Sequence, residues 1–307
     1  MKPKTEKIHD LIIVGAGPAG LGASIYASRY KLKHIIIGEE IGGQAREASK
    51  IENWPGEKNI SGNDLMDRVV DQAKSFGGEI IQSSVEKVEK IKDNFEIYVG
   101  GEIYKSKTII FALGMKPRKM NVSGENKFIG KGISYCATCD ATFFRDKVVA
   151  IVGGGNAAAM AAVHLSDFAK KVYLLHRKEV GWNPTRQEEL KKNSKIEIII
   201  SEGVKEVKGS EKVESIICEY NGTEKELTVQ GLFIEIGSVP GVAIVKNLGV
   251  EIDDQNYIKV NQSQMTNIEN AWAAGDATTG SNKFRQIITA MAEGAVAAGS
   301  VYKKLKL

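Results

Sequence analysis

Two segments of the chain repeat one order of strand, glycine loop and helix, and this repeat constrains the fold more than any other feature. The first runs Leu11-Ile-Ile-Val14, Gly15-Ala-Gly17-Pro18-Ala19-Gly20, a helix of small residues to Arg29 and an apolar strand at Ile35-Ile-Ile37. The second runs Val148-Val-Ala-Ile-Val152, Gly153-Gly-Gly155-Asn156-Ala157-Ala158, an alanine-rich helix and the strand Val172-Tyr-Leu-Leu175, with Ala158 standing where the third glycine would be. Short apolar runs bounded by glycine read as buried strands, and G-x-G-x-x-G at the first turn of a βαβ unit is a dinucleotide-binding pattern. Each half then passes into charge-alternating segments, 85–105 and 204–228, that read as antiparallel hairpins. Each meander leads to an apolar strand ending in Gly-x-x-Pro, at 109–117 and 232–240, which marks two crossovers between domains.

At 307 residues the chain suits two domains, each able to bury its own core. After Pro240 the sequence offers strand-like pieces at 257–260 and 271–274 and a long helix from about Gln286 to Lys304, none of which starts a third domain. The expected fold is α/β, with two Rossmann-like dinucleotide-binding domains of the three-layer ββα type, the second inserted in the first. Residues 1–116 and 245–307 form the first domain in this reading, and 117–244 the second.

Composition narrows the function. The net charge of +4 comes from 42 basic and 38 acidic residues spread along the chain, without the concentrated basic field that nucleic acid requires. No run approaches the roughly 18 apolar residues of a membrane span, and no secretory signal precedes the first strand, so a cytoplasmic protein is expected. Three cysteines do not make a disulfide scaffold. Zinc normally takes four ligands, and Cys218 with His9, His34, His164 and His176 offers no ligand-like spacing, so no metal is expected.

The glycines of the first loop serve a tight turn, close approach to a pyrophosphate and close packing of helix on strand. The helix N-terminus adds free N–H groups and a positive dipole end. About 20 residues on, Glu39 and Glu40 end the second strand, where a carboxylate can accept from ribose hydroxyls. The equivalent point of the second unit reads His176-Arg177-Lys178, which suits a 2′-phosphate and so favours NADP over NAD, although a solvated basic strand end would look the same. Cys136-Ala-Thr-Cys139 precedes the second glycine strand and is followed by Asp140. Two such cysteines at a helix start can form an accessible disulfide, with one thiol pKa lowered by the dipole and a carboxylate placed to trade protons. Cys218 lies in an alternating strand pattern and reads as a packing residue.

Taken together these residues resemble the low-molecular-weight thioredoxin reductases, flavoproteins with a redox Cys-x-x-Cys in the pyridine-nucleotide domain. The resemblance covers nearly the whole chain and rests on Gly15 to Gly20, Gly42-Gly43-Gln44, Glu52-Asn53-Trp-Pro-Gly56, Cys136 to Asp140, Gly153 to Asn156, Ala274-Gly275-Asp276 and Arg285-Gln286, in that order. It implies FAD in the first domain, with the pyrophosphate on Gly15, Gly17, Pro18, Ala19 and Gly20. Glu39, Gln44 and Asn53 would lie along the cofactor, Asp276 at the ribityl chain, and Gln286 and Ile287 at the flavin ring, with Gly43, Val85, Gly275 and Arg285 as further cofactor-binding residues. NADPH would bind through Gly153, Gly155, Asn156, Ala157, His176, Arg177 and Lys178. The resemblance further implies that Cys139 faces the flavin, that Cys136 attacks the protein substrate and that Asp140 is the acid/base. A thioredoxin-like partner, a homodimer and rotation of one domain against the other, hinged at the crossovers, are implied in the same way.

The departures from that family lie on the nicotinamide side. NADPH-using relatives tend to have a Ser or Thr and then acidic residues after Gly-Gly-Gly-Asn, where this helix reads Ala157-Ala-Ala-Met160-Ala-Ala162. Their basic cluster also continues, where this chain has Gly181-Trp182-Asn183, and Arg186 does not match it in spacing. Two alternatives therefore stand beside NADPH-driven reduction: the same flavin and disulfide chemistry fed by a donor such as reduced ferredoxin, and a non-catalytic nucleotide- or zinc-binding module.

Overall fold

A computed structural model describes residues 8–48, 51–177, 181–182, 184–220 and 222–306. The chain begins with β1 (Ile8–Val14), α1 (Pro18–Arg29) and β2 (His34–Gly38), as the first repeat requires. Pro18 opens α1 where its missing N–H costs nothing. A 3-10 turn (Gly43–Glu47) leads towards α2 (Gly62–Ser75), whose cap residue Ser61 accepts the Asp64 N–H at 3.1 Å, and then β3 (Glu79–Gln82). The meander follows as β4 (Lys87–Ile91), β5 (Asn94–Val99) and the long β6 (Glu102–Phe111). β6 pairs antiparallel with β5 and parallel with β1, with Val14 opposite both Ile37 and Phe111. β7 (Met115–Pro117) carries the chain out.

The second unit opens with α3 (Glu125–Phe128), β8 (Ile133–Ser134) and α4 (Ala137–Asp140), then repeats the plan as β9 (Val148–Val152), α5 (Asn156–Ser166) and β10 (Lys171–His176). α6 (Pro184–Lys192) and β11 (Ile196–Ile200) follow, then the meander β12 (Gly203–Lys208), β13 (Ser215–Tyr220) and β14 (Thr223–Thr228). β15 (Gly231–Ile234) returns to the parallel sheet, whose order is β11-β10-β9-β15-β8. β16 (Ser238–Pro240) leads back, and α7 (Ala243–Lys246), β17 (Ala271–Ala273) and α8 (Ile287–Lys306) complete the first unit.

The chain thus forms two compact units, one from residues up to Lys116 together with those from Val239 onward, the other Pro117–Ser238. The return comes ahead of residue 245 because Val242 and Val245 are already core residues of the first unit, packed with Val88, Phe95 and Ile97. Each unit has three layers. In the first, helices α1, α2 and α8 cover one face of the sheet around Ile13, Ile36 and Ile110, and the meander covers the other. In the second, α5 packs on Val149 and Ile151, and the meander packs on Ala150 and Leu232. One expected strand is absent: 257–260 makes only isolated bridges through Ile258, which bonds backward to Ile252 and onward to Thr278 instead of extending a ladder. Cys218 is buried in the meander core, as a packing residue should be.

Candidate functional site

In the first unit the three glycines of the loop do three different things. Gly15 has φ +114°, and a Cβ there would stand 2.1 Å from the Ala112 carbonyl oxygen. Gly20 brings α1 down onto the loop, since a Cβ there would stand 1.9 Å from the Gly15 carbonyl oxygen. At Gly17 the nearest atom would be 3.8 Å away, so this face is left open in front of a helix N-terminus with no acidic residue in its first turn. The loop therefore fits a pyrophosphate.

Two other expected segments reach it, at Gly43 and at Gly275. The Gly42 N–H donates to the Ala16 carbonyl at 2.8 Å, and Gly43 lies against Gly17. Gly275, at φ +85°, lies so close to α1 that a Cβ would stand 2.8 Å from the Ala19 methyl. Next to it Asp276 is half-buried and its carboxylate has no hydrogen-bond partner among the described residues. Burial pushes that carboxyl above its ordinary pKa, Arg285 opposes the rise and Glu293 adds to it. A desolvated carboxylate of this kind fits a hydroxyl donor. The Asn53 amide donates to the Gln286 side-chain oxygen at 2.8 Å, joining two motifs far apart in the sequence. The Gln286 N–H is taken by the Thr289 hydroxyl at 3.1 Å, at the start of α8 before Ile287. Glu39 and Gln44 are exposed, at the end of β2 and in the 3-10 turn, and Val85 is half-buried on the meander core.

In the second unit Cys136 and Cys139 form a disulfide with Cα atoms 5.4 Å apart. Cys136 caps α4 and is half-buried, and its sulfur accepts the Cys139 N–H at 3.1 Å. Cys139 is exposed and Asp140 half-buried. The buried Ser134 hydroxyl holds Cys136 from both sides, accepting its N–H at 3.0 Å and donating to its carbonyl at 3.2 Å. A thiolate left on Cys136 after reduction would keep a backbone donor, the condition that favours a nucleophilic sulfur.

The second glycine loop is arranged differently from the first. A Cβ on Gly153 would stand 2.3 Å from the Glu235 carbonyl oxygen and 2.8 Å from the Ala158 methyl, while Gly155 has no atom of the chain within 4 Å of that position. Asn156 and Ala157 open α5 and are exposed. The open face again fits a phosphate group. The basic strand end is thinner than its sequence suggests. His176 is buried, with Nδ1–H donating to the Arg177 carbonyl and its ring edge-on to Trp182 at 4.9 Å. The Gly181 N–H closes onto the Gly154 carbonyl at 2.8 Å. Arg177 is exposed, and Lys178 lies outside the described residues. Sequence reasoning missed Ser134 and Glu293. Glu293 carried one signal, a single acidic residue in an otherwise small and apolar stretch of helix.

Known proteins are similar to this chain over nearly its whole length. The family model described as pyridine nucleotide-disulphide oxidoreductase matches residues 9–294. A thioredoxin reductase of Peptoclostridium acidaminophilum is 37% identical, with 97% of each chain covered. The solved thioredoxin reductase of Lactococcus lactis superposes with a TM-score of 0.85 at 32% identity, covering 96% of this chain and 98% of that one. A ferredoxin-flavin thioredoxin reductase from Clostridium acetobutylicum matches with a TM-score of 0.54 at 32% identity, covering 97% of this chain and 98% of that one. With two glycine loops, a Cys136–Cys139 disulfide and a family match over almost its whole length, the chain belongs to the pyridine nucleotide-disulphide oxidoreductases.

Proposed function

We propose that the protein is an FAD-dependent thioredoxin-disulfide reductase, carrying electrons from NADPH through the Cys136–Cys139 disulfide to a thioredoxin-like protein. The observation that carries this reading is the disulfide itself, placed one strand before a dinucleotide-type glycine loop in a chain that holds a second such loop. Gly15, Gly17 and Gly20 would hold the FAD pyrophosphate, and Asp276 would accept from a hydroxyl of the cofactor. When bound, FAD supplies two-electron reduction of the disulfide. Uptake of two electrons and one proton breaks the S–S bond and leaves one thiol and one thiolate. The Cys136 thiolate attacks the partner's disulfide, forming a mixed disulfide and releasing a thiolate. Cys139, as thiolate, then attacks the Cys136 sulfur, which restores the internal disulfide and frees the partner's second sulfur. Asp140 takes the Cys139 proton and returns it to the leaving sulfur. A homodimer and a cytoplasmic location belong to the same reading, and among the described residues no helix is long and apolar enough to cross a membrane.

A second reading keeps this chemistry and replaces NADPH by a protein donor such as reduced ferredoxin. Buried His176, the Trp182 ring against it and a first turn of α5 without acidic residues favour it, and so does the Clostridium acetobutylicum relative. Anaerobic titration with NADPH, NADH and reduced ferredoxin, following flavin absorbance, separates the two. Bleaching by NADPH supports the first, and bleaching by ferredoxin alone selects the second. Cys139→Ser should keep the flavin and lose thioredoxin reduction, and turnover in that variant would remove both readings.

A further inference from the structure

Among the described residues, the first unit holds one buried carboxylate that the reaction does not use. Glu293 is 6% exposed and is the one acidic residue of α8. Burying a charged group is costly unless its lone pairs are satisfied. Its Oε2 accepts the Gly275 N–H at 2.8 Å and the Thr278 hydroxyl at 3.2 Å, and the Thr278 oxygen in turn accepts the Gly280 N–H at 3.0 Å. The backbone has shaped itself to this group, because a Cβ on Gly280 would stand 2.7 Å from the carboxyl carbon. Both bonds fall on the segment that carries Asp276, one on each side of it. Asp276 has no hydrogen-bond partner of its own among the described residues, so its direction is set by the backbone that Glu293 holds.

We infer that Glu293 is a positioning residue for the flavin cofactor, fixing the Gly275 to Gly280 segment so that the Asp276 carboxylate is presented in place to a hydroxyl of FAD. The inference rests on the assignment of FAD to the first unit. Two donors bound to one buried acceptor oxygen, one on each side of Asp276, tie the turn to α8. Holding the segment in one arrangement saves affinity that would otherwise be lost to ordering it on binding.

The test is a double-mutant cycle on FAD affinity, read by quenching of flavin fluorescence as FAD is titrated into full-length apoprotein, with far-ultraviolet circular dichroism to confirm folding. E293A should weaken FAD binding about tenfold or more. E293Q should stay within about threefold of wild type, because its amide oxygen accepts the same two hydrogens. In a D276A background, E293A should add less than about twofold, since no carboxylate remains to be positioned. Effects of E293A and D276A that multiply in full would overturn the inference, and so would E293Q losses as large as those of E293A. If E293A does not fold, T278V decides: about fivefold weaker FAD binding is expected, and unchanged affinity overturns the inference. Wild-type apoprotein that takes up no FAD refutes the cofactor assignment instead, so the two failures are distinguishable.

Discussion

The two glycine loops begin from the same backbone plan and end in different surroundings. Around the first, two separate segments arrive, the turn at Gly43 against Gly17 and Gly275 against Ala19, and Asp276 beside Gly275 has no hydrogen-bond partner among the described residues. Around the second, the strand end has turned inward, with His176 buried against Trp182 and the Gly181 N–H closing on Gly154. A glycine motif is therefore a statement about backbone room. What occupies that room is decided by segments brought in from elsewhere in the chain.

The comparison is broken most forcefully at the third position of each motif. Gly20→Ala places a methyl 1.9 Å from a backbone oxygen, so it should cost about 3 kcal/mol or more and strip FAD from the purified protein. Ala158→Gly removes one buried methyl and loosens a helix, for about 1–2 kcal/mol. Urea unfolding of both variants measures the difference, and equal losses would mean that the two loops are packed alike. The middle position comes next. Gly17→Ala and Gly155→Ala meet open space, so neither should change stability by more than about 0.5 kcal/mol. Gly17→Ala should weaken FAD binding about tenfold by blocking close approach. Gly155→Ala should raise KM for NADPH by a similar factor, and an unchanged KM would show that the second loop does not hold the donor.

Much of this was legible in the sequence, for reasons that differ by region. The parallel strands announced themselves as short apolar runs, and β5 shows the alternation of a half-buried strand, with Phe95, Ile97 and Val99 inward. The glycine loops and the cysteine pair are local patterns, so their geometry follows from neighbours in the chain. The expected strand at 257–260 failed because its apolar residues suit a strand while its partners, Ile252 and Thr278, meet it one residue at a time. Glu293 and Ser134 were missed because their meaning lies in what they touch. Nothing local says that an acidic residue on α8 accepts from Gly275, or that the hydroxyl two residues before Cys136 holds both its N–H and its carbonyl. His176 looked like one of three basic anchors and proved to be a buried ring, since Trp182 lies beyond the reach of a strand-end pattern.

The donor side can be sharpened at Arg177, the exposed basic residue at the end of β10. If it pairs with a 2′-phosphate, Arg177→Ala should raise KM for NADPH about tenfold and leave KM for NADH within about twofold, because only the phosphate contact is lost. Equal changes for both nucleotides would assign Arg177 a structural role. No change for either would shift weight to the protein donor.

The smallest expected effect is a pH slope in the first unit, at the strand that matches the one ending in His176. His34 is buried, its Nδ1–H donates to the Leu32 carbonyl at 3.0 Å, and its Nε2 accepts the Ser24 hydroxyl at 2.8 Å. Burial pushes its pKa below the ordinary 6.5, and the Leu32 bond only partly opposes this. Between the lowered folded value and 6.5 the unfolded chain binds more protons than the native one, so stability rises with pH across that window. The first unit should therefore lose stability as the solution is acidified from neutral pH through 6.5, with the loss complete only below the folded value. His34→Phe should be less stable at pH 7, because the Ser24 hydroxyl and Leu32 carbonyl lose their partner, yet its stability should change less between pH 7 and pH 5 than that of wild type. Urea midpoints at the two pH values give the slope, and identical slopes would show that His34 titrates alike in the folded and unfolded chains.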